Sequence, residues 1–264
     1  MKRPCVLVFA GLDPSGGAGV QADIEAINAM GAHALPVITT LTVQDNDRVK
    51  AVYPVDAGIL REQVDVLCEK FKIAAIKIGI AGNQDNVAVI TETIQNLRHQ
   101  SPDLPVVLDP VLASGHGDAL AREDAVAMMR PLQLQATLIT PNLLEAVRLC
   151  EGEMSIAAQA VQLMKRTPHV LIKGGHGEGE SIINTWFSST HEQSWQWPRL
   201  RGGFHGSGCT LASAIAAGLA KQQSMQNALS RAQSFVHASL TNAYAIADGQ
   251  RIPARTTPYL QEVS

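Results

Sequence analysis

The chain has 264 residues and a net charge of −3, so it lacks the basic excess with which proteins bind nucleic acid. Hydrophobic residues make up 46% of the chain, which is enough for a substantial globular core. The apolar run 6–10 is too short for a secretion signal, and no stretch reaches the length of a membrane span, so we expect a cytoplasmic protein that binds neither nucleic acid nor membrane.

Short runs rich in Val and Ile alternate with helical patterns along most of the chain. The predicted strands are Val6–Ala10, Leu35–Val43, Ala75–Gly79, Val106–Pro110, Ala136–Thr140 and His169–Lys173, followed by a hairpin over 181–187 and 193–197. The predicted helices are Val20–Met30, Ile59–Phe71, Gln84–His99, Arg122–Met129, Ile156–Lys165, Gly208–Lys221 and Met225–Ala247. This alternation is typical of βαβ units and predicts an α/β fold, in which a mostly parallel sheet is covered by helices on both faces.

The composition gives no sign of a boundary between domains. It contains no Ser- or Pro-rich linker, no repeat and no long run of charge, so we expect a single domain over residues 1–264. The cysteines Cys5, Cys68, Cys150 and Cys209 are far apart and form no CxxC pair. We therefore expect free thiols in a reducing compartment and no zinc site.

The stretch GGFHGSGCTLASAIAAGLA, residues 202–220, places Cys209 directly after a glycine-rich turn and at the start of an alanine-rich helix. The free N–H groups of Gly206, Ser207 and Gly208 at such a helix start attract anions and can hold a phosphoryl group. The helix dipole is expected to lower the pKa of the thiol, which could then accept a proton from a substrate hydroxyl. The alternative is a tight turn with a small buried cysteine.

A second glycine-rich segment, DPSGGAGVQAD at residues 13–23, follows the first predicted strand. Asp13 and Ser15 are good capping residues. The segment is neither a P-loop nor the GxGxxG of a dinucleotide-binding fold, which argues against an NAD-binding protein. Asp23 is either a solvated residue of the following helix or an acceptor for the amine of a small heterocycle.

Polar residues also follow the later predicted strands. Asn142 and Glu145 in TPNLLEA have the spacing of a capping box, and they could alternatively hold Mg²⁺ through water. Asp109 closes an apolar strand, where it could orient Mg²⁺ or cap a turn. Lys173 closes another strand and could meet a phosphate or extend into solvent. Ligands of open α/β sheets bind at this end of the strands.

Taken together, these segments resemble the ribokinase-like superfamily, and within it the hydroxymethylpyrimidine/phosphomethylpyrimidine kinases of thiamine biosynthesis. The resemblance runs in order over nearly the whole chain. The segments that carry it are GLDPSGGAGVQADIEAINAMGAHALPVITTLTVQ from Gly11, KIGIAG at 77–82, DPVLASGHGD at 109–118, TPNLLEA at 140–146, KGGH at 173–176 and HGSGCTLASAIAA at 205–217.

The resemblance implies a ribokinase-like three-layer α/β/α fold and an ATP- and Mg²⁺-dependent kinase, working as a homodimer, that phosphorylates 4-amino-5-hydroxymethyl-2-methylpyrimidine and also its monophosphate. It implies that Cys209 is the catalytic base and that the backbone of Gly206, Ser207 and Gly208 is the anion hole. The residues implied for the remaining roles are Gly11, Asp23, Gln44 and Ile80 for the pyrimidine, Asn142 and Lys173 for the nucleotide, and Asp109 and Glu145 for the metal.

Two alternatives stay open at this point. A pyridoxal or pyridoxine kinase has the same superfamily fold and a similar aromatic alcohol as substrate. A binding protein without activity is the other, because many members carry a lysine in the stretch 109–118, where this chain has Gly115 and His116. A sugar kinase is disfavoured, since it would carry Asp at position 209.

Overall fold

The computed structural model describes residues 2–113, 124–152, 155–177 and 179–256, and within these ranges the chain forms nine strands and eight helices. The strands are β1 Cys5–Leu12, β2 His33–Gln44, β3 Val49–Pro54, β4 Ile73–Ile78, β5 Val106–Leu108, β6 Leu138–Ile139, β7 His169–Ile172, β8 Ser181–Phe187 and β9 Glu192–Pro198. The helices are α1 Gly19–Ala29, α2 Ala57–Lys70, α3 Gln84–Gln100, α4 Ala125–Gln135, α5 Leu143–Leu149, α6 Ile156–Met164, α7 Ser207–Ala220 and α8 Met225–Thr241.

The strands form one sheet in the order β3-β2-β1-β4-β5-β6-β7-β8-β9. Neighbours from β2 to β7 in this order are parallel. The sheet turns antiparallel at both edges, through β3 on one side and the β8–β9 hairpin on the other. The carboxyl ends of the parallel strands therefore lie along one edge, as the strand pattern predicts.

Helices cover both faces of the sheet, which confirms the three-layer α/β prediction. Leu7 and Phe9 of β1 pack in a cluster with side chains of α2, α3, α4 and α6. Val6, Val8 and Ala10, which alternate with them, pack on the other face with α1, α7 and α8. Because both faces are buried, β1 is a continuous apolar run and shows no polar alternation.

Helix α7 owes its position to its small side chains. Ala214, Ala216 and Ala217 are fully buried, and the helix packs against α1, α8, β4 and β5. Gly218 allows α8 to approach, since a Cβ there would lie 3.0 Å from Ala228 Cβ. This packing fixes the N-terminus of α7 at the carboxyl edge of the sheet.

The structure corrects several predicted boundaries. Strand β3 is not predicted, because its sequence VKAVYP is short, charged and half exposed; a turn closed by Asp45 pairs it with β2. Helix α4 continues through Pro131 to Gln135, where Met129 is the predicted end, and its predicted start at Arg122 lies outside the described residues. Helix α8 ends at Thr241, short of Ala247, because the chain folds back to pair Tyr244 with Ile252.

The sequence also predicts free cysteines and no membrane-spanning segment. All four cysteines are described, and all four are free thiols, as predicted. Of the helices that the structure describes, none is both long enough and apolar enough to cross a bilayer.

Candidate active site

A cavity of about 470 Å³ opens at the carboxyl edge of the parallel strands. Its wall contains every predicted site residue except Asp23. These residues are Gly11, Gln44, Ile80, Asp109, Asn142, Glu145, Lys173, Gly206, Ser207, Gly208 and Cys209. The fold therefore brings together segments that lie up to two hundred positions apart in the chain.

The N-terminus of α7 forms one wall of this cavity. Gly206 is the N-cap, with a φ of 80° that L-residues rarely adopt, and no side chain caps the helix. A Cβ on Gly206 would lie 2.0 Å from the carbonyl oxygen of Gly17. No N-cap side chain accepts from the first N–H groups of the helix, which belong to Ser207, Gly208 and Cys209. The predicted anion hole differs from this set, because it includes Gly206, which is the N-cap, and omits Cys209.

The loop after β1 is organised by Asp13, which is almost fully buried. Its Oδ1 accepts from the backbone N–H and the hydroxyl of Ser15, both at 2.8 Å, and its Oδ2 accepts from Ala18 N–H at 2.7 Å. His205 Nε2 donates to the same Oδ2 at 2.8 Å. Burial raises the pKa of Asp13, but the hydrogen bonds from His205 and Ser15 outweigh it and bring the pKa to about 2. Asp13 thus caps this loop, and His205 joins it to α7.

Cys209 faces the cavity from the first turn of α7. The pKa of Cys209 is raised to about 11, and burial is the largest cause. The charges of Asp23 and Asp109 also raise this pKa, whereas the charge of Lys77 and a backbone hydrogen bond from Gly19 lower it. The predicted lowering of this pKa by the helix dipole is therefore wrong. Desolvation and two nearby carboxylates outweigh the dipole, and the thiol is protonated at neutral pH.

Asp23 requires a correction, because it does not reach the cavity. Its carboxylate has no exposed surface, and it accepts from Lys77 Nζ at 2.8 Å and from the Ser213 hydroxyl at 2.7 Å. Burial alone would lower the pKa of Lys77, but the charge of Asp23 beside it raises that pKa, so the ammonium group stays charged. Neither a solvated Asp23 nor a contact with the pyrimidine amine fits this pairing. Lys77 lines the cavity in its place and is not predicted from the sequence.

Asp109 and Lys173 form an ion pair beside the start of α7. Lys173 Nζ lies 2.8 Å from Asp109 Oδ1, which also accepts from the Thr140 hydroxyl at 3.2 Å. A Cβ on Gly208 would lie 3.2 Å from Lys173 Nζ and 3.4 Å from Asp109 Oδ2. A lysine and a carboxylate therefore stand next to the predicted anion hole, and Lys173 is not a solvent-facing side chain.

The segment from Asn142 to Glu145 forms the capping box that its spacing predicts. Asn142 Oδ1 accepts from Glu145 N–H at 2.8 Å, and Glu145 Oε2 accepts from Asn142 N–H at 2.7 Å. Burial raises the pKa of Glu145 to about 7; the charge of Lys173 opposes this and that of Asp109 adds to it. Both side chains thus have a confirmed capping role, and both also line the cavity.

Comparison with known proteins gives a consistent family. The family model described as phosphomethylpyrimidine kinase matches residues 13–253. The hydroxymethylpyrimidine/phosphomethylpyrimidine kinase of Rhizobium meliloti is 36% identical, and the alignment covers 92% of this chain and 93% of that protein. The enzyme of the same name from Escherichia coli is 35% identical, with 96% of each chain covered.

The chain belongs to the phosphomethylpyrimidine kinase family. Among solved structures, the phosphomethylpyrimidine kinase of Clostridium difficile has a TM-score of 0.77 and 26% identity, and covers 90% of this chain and 100% of its own. The pyridoxal kinase of Staphylococcus aureus in complex with ADP has a TM-score of 0.84 and 25% identity, and covers 96% and 93% of the two chains. The resemblance to a kinase of thiamine biosynthesis is therefore confirmed at the level of the family and the fold.

The far wall of this kinase cavity is not anticipated by the sequence. Asn184 donates to Gln233 Oε1 at 2.9 Å, and Trp197 Nε1 donates to the same oxygen at 3.3 Å. The Trp197 ring packs on His237, with the ring centroids 5.0 Å apart. These residues come from the antiparallel hairpin and α8, where no local motif marks them. Gly115 and His116, where the resemblance implies a lysine, lie outside the described residues.

Proposed function

We propose that this kinase transfers the γ-phosphoryl group of ATP to the 5-hydroxymethyl group of 4-amino-5-hydroxymethyl-2-methylpyrimidine, and in a second reaction to the resulting monophosphate. The observation that carries the proposal is the position of Cys209. Its side chain faces the cavity at a bare helix N-terminus, beside the ion pair of Asp109 and Lys173. The relatives in Rhizobium meliloti and Escherichia coli carry both activities in their names.

Phosphoryl transfer asks mainly for positioning and for stabilisation of the charge that spreads over the equatorial oxygens. The N–H groups of Ser207, Gly208 and Cys209 supply donors and the positive end of the α7 dipole. Lys173 adds a full positive charge next to Gly208. We propose that the N–H groups of α7 bind the transferred phosphoryl group of ATP, and that Lys173 and Asn142 bind the rest of the nucleotide.

Cys209 is the residue that we assign to the alcohol proton. As the hydroxyl oxygen of the pyrimidine attacks phosphorus, the bond from phosphorus to the bridging oxygen of ADP breaks, and the proton passes to the Cys209 sulfur. Only the thiolate can accept it. Because the pKa of Cys209 is about 11, the thiolate is a minor species at neutral pH. The rate should therefore rise with pH, and the positioning of the phosphoryl group should account for most of the catalysis.

Magnesium is the expected companion of ATP, and the residues present fit it. Mg²⁺ in such sites is bound by one or two carboxylates, with waters and substrate phosphates completing the shell. Asp109 and Glu145 are two cavity carboxylates, and the charge of Asp109 contributes to the raised pKa of Glu145. The described residues contain no cluster of three metal-ligating side chains, so this pair is what we assign to the metal within that part of the chain. When bound, Mg²⁺ supplies neutralisation of the phosphate charge.

We assign the pyrimidine ring to the part of the cavity near the end of β1. Gly11 lies against Ile80 there, since a Cβ on Gly11 would be 3.5 Å from Ile80 Cδ1. A larger residue at either position would narrow the slot between them. Gln44 lines the same cavity, where its amide N–H can donate to a ring nitrogen and its amide oxygen can accept from the 4-amino group. We also propose that the chain is one kinase domain, because the cavity draws its lining from Ala10 to Gln250.

The experiment is a turnover panel with ATP and Mg²⁺. The pyrimidine alcohol, its monophosphate and pyridoxal are each tested for ADP release and for a shift of the melting temperature. Turnover of the pyrimidine alcohol well above that of pyridoxal is the expected result. Equal or faster turnover of pyridoxal would reassign the enzyme to that alcohol, and absence of turnover with all three would favour a binding protein that has lost activity.

A further inference from the structure

The end of the described chain returns to the loops that shape the anion hole. After α8 the backbone pairs Tyr244 with Ile252 and Phe204 with Arg251. Ala254 N–H then donates to the carbonyl of Ser239 at 2.9 Å. This path carries the side chain of Arg255 inward, and only 3% of that residue is exposed.

The guanidinium of Arg255 contacts both glycine-rich loops at once. Nη2 donates to the carbonyl of Gly17, in the loop after β1, and to the carbonyl of His205, which precedes α7, at 3.5 Å. Nε donates to Thr210 Oγ1 at 2.8 Å. Thr210 Oγ1 in turn donates to the carbonyl of Gly206 at 2.7 Å. One planar group thus joins the two loops and the first turn of α7.

Gly206 is closely packed by Arg255 and by the loop after β1. A Cβ at that position would lie 2.9 Å from Arg255 Nη2 and 2.9 Å from Ala18 Cα. Arg255 Nη1 also pairs with Glu25 Oε2 at 3.1 Å, which orients the fork from the side of α1. A lysine carries all its donors on one nitrogen atom and has no planar fork. It therefore cannot form hydrogen bonds with the Gly17 carbonyl, the Thr210 hydroxyl and the Glu25 carboxylate at the same time.

We propose that Arg255 is a positioning residue for phosphoryl transfer: it holds the loops of Gly17 and Gly206 together, so that the first N–H groups of α7 stay aligned for the transferred group. It is not part of the cavity wall and does not touch substrate. A displacement of about 1 Å at a reacting centre can cost about 10²-fold in rate. The inference rests on the proposed kinase function, which the turnover of the unmodified enzyme tests separately.

The test compares Arg255→Lys and Arg255→Ala with the unmodified enzyme at a temperature where circular dichroism shows all of them folded. We expect kcat to fall about 10²-fold in both. The KM for the pyrimidine alcohol and the affinity for MgADP should be unchanged. Aluminium fluoride mimics the transferred phosphoryl group, so we expect it to increase the affinity of the unmodified enzyme for MgADP when the alcohol is bound. This increase should be lost in both variants. Methylguanidinium should restore part of kcat to Arg255→Ala and none to Arg255→Lys.

Arg251→Ala is the matched control. Arg251 lies in the same C-terminal segment, donates to the carbonyl of Arg201 and packs over the Phe204 ring. Within the described part of the chain its side chain makes no hydrogen bond to Gly17 or Thr210. We expect its kcat to match the unmodified enzyme. A merely structural role for Arg255 would lower the melting temperature and leave both the aluminium fluoride affinity and kcat per folded molecule intact. That outcome, or equal losses in Arg251→Ala, overturns the proposal. If Arg255→Ala does not fold, Arg255→Lys alone decides between the same two outcomes.

Discussion

His205 Nε2 lies 2.8 Å from Asp13 Oδ2, and this contact joins the loop after β1 to the loop before α7. The two residues are 192 positions apart in the chain. Asp13 also accepts from Ser15 and Ala18, so its carboxylate is satisfied entirely by groups that shape the cavity rim. The loop after β1 and the loop before α7 are therefore held by contacts with one another as well as by the sheet beneath them.

This carboxylate gives the first prediction, on the pH dependence of stability. The pKa of Asp13 is about 2 in the folded protein against 3.8 for the free side chain. Because the folded value is the lower one, the stabilisation is complete above about pH 5 and is lost as the pH falls through 3.8 towards 2. Asp13→Asn should lower the free energy of unfolding by roughly 2 kcal/mol at pH 7.

Urea unfolding followed from pH 7 to acid checks it. The difference between the unmodified protein and Asp13→Asn should shrink as the pH approaches 2. Asp103→Asn is the control, since Asp103 lies exposed in the turn before β5. A difference that stays constant with pH would show that Asp13 does not titrate as its surroundings indicate.

The buried pair of Lys77 and Asp23 gives a second prediction. Both side chains are fully buried at 2.8 Å, so Asp23→Asn leaves an uncompensated ammonium group and should cost about 3–5 kcal/mol of stability. Lys77→Met combined with Asp23→Leu should lose less than the sum of the single changes. Chemical unfolding of the three variants measures this coupling.

The exposed pair Arg61–Glu92, at 2.7 Å, is the control for that cycle, and Arg61→Met should leave the unfolding midpoint unchanged. The KM for the pyrimidine alcohol adds a second readout. In Asp23→Asn it should be unchanged, because the carboxylate does not reach the cavity. A large rise in this KM, with stability retained, would restore the direct substrate contact that the sequence suggests.

Gly206 and Gly16 make a matched pair for the third prediction. Both have a φ near 80°, but a Cβ on Gly206 would lie 2.0 Å from Gly17 O, whereas a Cβ on Gly16 would meet nothing within 4 Å. Gly16→Ala should cost about 1 kcal/mol, from backbone strain alone. Gly206→Ala must also displace a loop, and its kcat should fall much further than its melting temperature accounts for. Equal effects of the two changes on kcat would contradict this reading of the α7 N-terminus.

Cys209 gives the fourth prediction. Cys209→Ala should keep its affinity for the pyrimidine alcohol and lose about 10²-fold in kcat, the lower end for a removed proton-transfer group because the thiolate is scarce. In the unmodified enzyme log kcat should rise with pH towards the thiol pKa of about 11, and this rise should be absent in Cys209→Ala. Cys68→Ala, a half-buried thiol of α2, should behave as the unmodified enzyme. A flat pH profile shared by all three would remove the thiolate from the mechanism.

The sequence predicts the parallel part of the fold well, because β1, β4 and β5 are apolar runs buried on both faces and each is followed by a helix. It predicts β3 poorly, since an exposed edge strand such as Val49–Pro54 carries no strong apolar signal. Motif positions at the ends of strands converge on the cavity for a geometric reason: parallel strands end at one edge of the sheet.

The contacts of Asp23 and Arg255 could not be predicted from the sequence. Whether a helical carboxylate faces solvent, substrate or a lysine depends on which side chain the neighbouring strand presents, and here β4 presents Lys77. Arg255 lies 45 residues from Thr210 in the chain, and no local pattern announces their contact. The raised pKa of Cys209 likewise comes from burial and from carboxylates on other elements, which outweigh the local dipole.

The most direct test of the account is proton-coupled ³¹P NMR of the unmodified enzyme with ATP, Mg²⁺ and 4-amino-5-hydroxymethyl-2-methylpyrimidine. The account predicts that the γ-phosphoryl resonance is replaced by a phosphate monoester split by the methylene protons of the hydroxymethyl group, and that Cys209→Ala slows its appearance. Release of inorganic phosphate without that monoester, or an unchanged ATP spectrum, would contradict it.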